Sequence, residues 1–130
     1  VLDALRFTKQ ADNDKRVNNA VRSLLAHWDS RVPRGPCPFG IGTRFMQIEF
    51  PFLRYNLFYW VYVLSHFRAA RKDARFKKAL RALRDKTIDD QIVVENPNRR
   101  LAKLAFCEKA KVSKAATRRF REILKNVVGG

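Results

Sequence analysis

Between Phe50 and Phe67 the chain reads FPFLRYNLFYWVYVLSHF, a run in which apolar side chains occupy almost every helical face. Taken as a helix from about Phe52, with Pro51 suited to its first turn, it aligns Leu53, Leu57, Trp60, Leu64 and Phe67 in one stripe. Phe52, Tyr59 and Val63 form a second stripe, and Tyr55, Phe58 and Tyr62 a third. A helix that is apolar all round is either walled in by protein or lies in a membrane. Arg54, Asn56, Ser65 and His66 interrupt a run barely long enough to cross a bilayer, so the expectation is a central core helix and no membrane span.

The remaining segments are amphipathic. Val1 to Lys9 reads as a helix with Val1, Leu2 and Leu5 inward, and no capping residue precedes it. A helix already under way at the first residue predicts a chain cut from something longer. Asp14 is suited to cap a second helix, Lys15 to Trp28, with Val17, Val21, Leu24, Leu25 and Trp28 on its apolar face. From Asp29 to Pro51 the pattern breaks: four of the five prolines and three of the five glycines fall there, which predicts a long loop. Asp73 is suited to cap a helix through Lys86 whose stripe is Phe76, Ala79, Leu80 and Leu83. A second long connection, Thr87 to Val112, holds a β-prone Ile92-Val93-Val94, a stop at Pro97 and a short helical piece from Arg99 to Phe106. Ser113 then caps a last helix through about Val127.

Two of these helices repeat. DKRVNNAVRSL from Asp14 and DARFKKALRAL from Asp73 lie 59 residues apart, with Asp14 on Asp73, Arg16 on Arg75, Ala20 on Ala79, Arg22 on Arg81 and Leu24 on Leu83. The same offset places Leu5 on Leu64, Val61 on Phe120 and Leu64 on Ile123. The unit is an inner helix, a tight turn, a more basic outer helix and a long returning loop, with units near 1–51, 52–112 and 113–130. One such hairpin cannot bury its apolar face alone and stacks against its neighbours.

Charge refines this picture. Twenty-eight Lys and Arg against twelve Asp and Glu give +16, of which residues 1–67 carry +4 and residues 68–130 carry +12. Such a balance favours contact with polyanions and is silent on fold. Two cysteines, Cys37 and Cys107, are no disulfide framework, and with no leader-like segment they predict a cytoplasmic location.

The paired helices, the long loops and the ending KVSKAATRRFREILKN resemble the α/α toroid shared by terpenoid cyclases and protein prenyltransferase β subunits. Closing segments of that family run Lys-x-Ser-Lys, then Thr-x-Arg, then an apolar helix. Here Lys111, Ser113, Lys114, Thr117, Arg118 or Arg119, Ile123 and Leu124 stand in those places. The resemblance implies an all-α domain of antiparallel hairpins with long connecting loops, part of a larger toroid whose other hairpins are missing. It also implies inner helices facing a central cavity, and a parent activity of isoprenoid transfer or cyclisation. The departures bear on chemistry. The loops after the outer helices, HWDSRVPRG and KTIDDQIVV, lack the Gln-x-x-x-Gly-x-Trp signature; Asp89-Asp90 is not an Asp-x-Asp-Asp acid; and no Asp-x-Cys announces a prenyltransferase zinc. No catalytic residue is carried over.

The residues themselves agree. Cys37, Cys107, His27 and His66 stand singly, without the paired spacing of a zinc site, and nothing couples a thiol to a histidine. No metal or cofactor is assigned. Tyr55, Tyr59, Trp60 and Tyr62 are the candidates to line an apolar, isoprenoid-sized pocket, against ordinary core packing; in an incomplete ring such side chains would promote self-association. Arg71, Lys72, Arg75, Lys78 and Arg81, flanked by Arg68 and Arg84, and later Arg99, Arg100, Lys103, Arg118, Arg119 and Arg121, are the candidates to track phosphates, against a solvated outer face. The reading is a scaffold or apolar-ligand module, non-catalytic as given. The alternatives are a basic helical-repeat nucleic-acid binder and the C-terminal part of an enzyme whose catalytic residues lie upstream.

Overall fold

The structure, a computed structural model, describes residues 1–8, 11–30 and 43–129. The Pro- and Gly-rich stretch at 33–42, with Cys37, and the predicted helix end at Lys9 lie outside the described residues. Among the described residues there are six α-helices: α1 Leu2–Leu5, α2 Lys15–Asp29, α3 Leu57–Leu64, α4 Arg68–Lys72, α5 Ala74–Asp85 and α6 Lys114–Val128. Short 3-10 turns form at Ala11–Asn13 and Thr43–Met46. No strand forms among these residues; Ile88 bridges Gln91 and Val93 bridges Val112 as isolated pairs. The fold is all-α.

The helix starts follow their caps. The Asp14 carboxylate accepts from the Arg16 amide at 2.8 Å, and the Asp73 carboxylate accepts from the Arg75 amide at the same 2.8 Å. In each case the arginine side chain forks back onto its own cap, at 3.1 Å for Arg16 and 3.0 Å for Arg75. The sequence repeat is thus also a repeat of local geometry. Ser113 caps α6 through the Ala116 amide at 3.1 Å.

Three elements differ from the expectation. The aromatic helix begins at Leu57 rather than Phe52, because Asn56 captures the Phe58 and Tyr59 amides at 3.0 and 3.2 Å and so acts as its N-cap. Pro51 lies outside the helix, after a cis Phe50–Pro51 bond, and Leu53 is exposed instead of joining the core stripe. The first helix is a single turn. Arg99 to Phe106 forms successive turns and no helix, since Asn98 folds its side chain onto the Arg100 amide and directs the chain into a turn.

The helices pack as a connected series. α3 lies against α5 and α6, α2 against α5, and α1 against α2. α1 is tied to α3 by Tyr59, whose hydroxyl donates to Asp3 at 3.3 Å, and by Arg6, which meets His66 at 3.0 Å. α4 packs against both α2 and α5. Seven of the eight residues of α3 are buried, Tyr59 being the exception. Burying side chains such as Phe58, Trp60 and Leu64 contributes about 1.5–3 kcal/mol each. Val61 and Leu64 in α3 and Phe120 and Ile123 in α6 are all buried, whereas Leu5, at the same offset from Leu64, is only partly buried.

Candidate functional site

The aromatic side chains of the 55–63 stretch separate into two environments. Tyr55, Tyr59 and Trp60 line a cavity of about 460 Å³ between α1, α2 and α3, together with Leu2, Ala20, Leu24 and Val63. This lies within the roughly 300–1,000 Å³ of small-molecule pockets. Tyr62 is not among the lining residues. It points toward α6, donating its hydroxyl to Glu122 at 2.7 Å, and packs against Phe52 and His66.

Each lining ring is fixed by its polar end. The Trp60 indole N–H donates to the Leu24 carbonyl at 3.0 Å, and its ring stacks on Trp28 with centroids 6.0 Å apart. The Tyr59 ring lies flat on Phe52, 4.7 Å between centroids. Tyr55 pairs its hydroxyl with His27 Nδ1 at 2.9 Å and tilts against Phe45. Burial pushes the Tyr55 phenol well above its ordinary range; burial, then the nearby Asp3 carboxylate, raises that of Tyr59. Both therefore stay neutral at physiological pH. Asp3 is the one carboxylate on the wall, and Arg6 neutralises it at 2.8 Å. The cavity is largely apolar, aromatic on one side and aliphatic on the other, with Val1, Ser23 and the Arg6-paired Asp3 also on its wall.

The five basic candidates divide as well. Arg71 turns inward, donating to the Ser65 carbonyl at 3.0 Å at the end of α3, where a cation suits the helix dipole. Arg75 is held by Asp73 and by Asp29 at 3.4 Å. Lys72, Lys78 and Arg81 are exposed. Of the five, Arg71 and Arg75 thus have partners within the fold, and Lys72, Lys78 and Arg81 face solvent.

The histidines and the described cysteine are engaged in structure. His66 faces the Tyr62 carbonyl with Nδ1 at 2.8 Å and Arg6 with Nε2, so Nδ1 carries the proton and donates, and Nε2 accepts. Burial, then the Arg6 charge, lowers its pKa. Cys107 is buried, with its thiol against the Leu101 carbonyl. Among the described residues no group of three or more His, Cys, Asp or Glu could hold a metal ion, and no helix is long and apolar enough to cross a membrane.

Two features escaped the sequence reading. The aliphatic wall comes from Leu2, Ala20, Leu24 and Val63 on three helices, which only the tertiary arrangement brings together. A second cleft of about 580 Å³ gathers Arg44, Arg54, Asn96, Pro97, Asn98, Arg99 and Arg100. Arg54 and Tyr55 are neighbours in the non-helical stretch before α3 and line different cavities. In comparisons with protein-family profiles, curated proteins and solved structures, nothing matches this chain.

Proposed function

We propose that this chain is a non-catalytic helical-hairpin domain of the α/α-toroid kind that binds an uncharged apolar ligand of isoprenoid character. The observation that carries the reading is the cavity walled by Tyr55, Tyr59 and Trp60 on one side and by Leu2, Ala20, Leu24 and Val63 on the other. A branched, unsaturated hydrocarbon chain matches both walls: its methyl groups pack on the aliphatic side and its double bonds on the ring faces. The toroid relationship is supported by the shared capping of α2 and α5. The nucleic-acid alternative loses support from the inward turn of Arg71 and the pairing of Arg75.

Titration with farnesol, which carries no charge, tests the reading without engaging the basic surface. Saturable binding that changes tryptophan emission is expected, because Trp60 lines the cavity. Ala20→Phe, which fills the space from α2, is expected to weaken it by about tenfold or more, on the order of 1.4 kcal/mol. Equal binding by the wild type and Ala20→Phe, or no saturable binding, would contradict the assignment.

A further inference from the structure

We infer that the cleft formed by Arg44, Arg54 and the 96–100 turn is a second, separate binding site, and that it takes a phosphate-bearing anion. Four exposed arginines from three stretches of sequence line one concavity of about 580 Å³ together with Asn96, Pro97 and Asn98, and among the described residues no carboxylate lines it. A solvated basic face spreads its charges outward along a helix. Here none of the four belongs to an α-helix, and the chain folds back to bring them together.

Of the nearby acids, Glu95 is committed elsewhere and Glu49 engages one cleft arginine. Glu95 accepts from the Ile48 amide at 2.8 Å and from Lys86 at 2.9 Å. Glu49 is buried and accepts from Arg54 Nε at 2.9 Å, which holds that guanidinium in place and offsets one of the four charges. The walls are also pinned to one another. The Ile48 carbonyl accepts from the Glu95 and Asn96 amides at 2.9 and 3.0 Å, joining the 45–49 stretch to the 96–100 turn. Asn98 accepts from the Arg100 amide at 3.0 Å and sets the direction of the turn. Like charges gathered on one wall favour the entry of an anion.

The chemistry favours phosphate over carboxylate. One or two planar guanidinium forks saturate a carboxylate, whereas a phosphate offers oxygens in several directions and more than one negative charge. The volume exceeds that of a single phosphate and suits a polyphosphate or a phosphate ester. Its location apart from the apolar cavity makes the two sites independently testable.

The test is calorimetric titration with inorganic tripolyphosphate at two salt concentrations, on the wild type and on two charge-matched double variants. Arg99→Gln/Arg100→Gln removes two cleft charges whose side chains make no ion pair among the described residues. Lys78→Gln/Arg81→Gln removes two from α5. The cleft variant is expected to bind at least about tenfold more weakly, and the α5 variant within about twofold of wild type. Equal weakening of both would mean that binding reads net charge alone and would overturn the site, as would the absence of saturable binding by wild type. Circular dichroism of each variant establishes that the fold is retained. A short oligothymidylate supplies the second arm: displacement of tripolyphosphate by it identifies polymer phosphates as the source, and failure to displace identifies a small phosphate ester.

Discussion

At the scale of single residues, Asp73 and Asp14 show how a short motif fixes a helix. An aspartate at the cap takes the amide two residues on, and the arginine at that same position clamps the carboxylate from its side chain. The Arg75 side chain and amide hold the Asp73 carboxyl below its ordinary range. Asp73→Ala is expected to destabilise the chain by about 1 kcal/mol, measured by urea unfolding. His66 makes the opposite kind of statement. Burial and Arg6 lower its pKa from 6.5, so the folded state binds fewer protons than the unfolded one. Its neutral form supports the fold fully above about pH 6.5, and that support is lost as pH falls from there toward the folded value. Unfolding free energies measured across this window should decline with acid in the wild type and less steeply in His66→Gln. Asp89 and Asp90 both adopt positive φ, 51° and 58°, in the two-residue turn between Ile88 and Gln91. Glycine at Asp90 suits that conformation, so Asp90→Gly is expected to raise the melting temperature slightly.

At the scale of elements, periodicity located α2, α5 and α6 well, because each carries a one-sided apolar stripe and a capping side chain at its start. α3 was harder. With apolar residues on every face, its ends could be set only by a polar interruption, and Asn56 does this from within what reads as continuous helix. Asn56 is buried, takes two amides and donates to the Arg54 carbonyl, so Asn56→Ala should cost about 1–2 kcal/mol or more in the same unfolding experiment. α4 escaped notice because Arg68–Lys72 is too short to show a period; its first amide is taken by Asp12, distant in sequence. Trp60→Ala removes a ring that is almost fully buried and holds the Leu24 carbonyl, and is expected to cost about 3–5 kcal/mol.

At the scale of the whole molecule, the sequence carried the all-α class, since it is written in local patterns. The site was only half readable. Tyr55, Tyr59 and Trp60 could be picked out as an aromatic cluster, but Tyr62 belongs to the same cluster and turns to Glu122 on α6 instead. Which way each ring faces depends on where α1, α2 and α6 lie, and no spacing within 55–62 encodes that. The charges behaved similarly. Arg71 and Arg75 look free in sequence and are engaged in structure, while Arg44 and Arg54 line one cleft with the adjacent pair Arg99-Arg100 about fifty residues further on. The central claim is that the cavity between α1, α2 and α3 holds an apolar ligand. The most direct measurement is methyl-resolved NMR during titration with farnesol. Saturable shifts are expected at the methyls of Leu2, Leu24 and Val63, with those of Leu83 in the α5 core and Leu101 in the distal turn unmoved. Shifts spread evenly over the surface methyls, or none at Leu24 and Val63 while binding occurs, would contradict it.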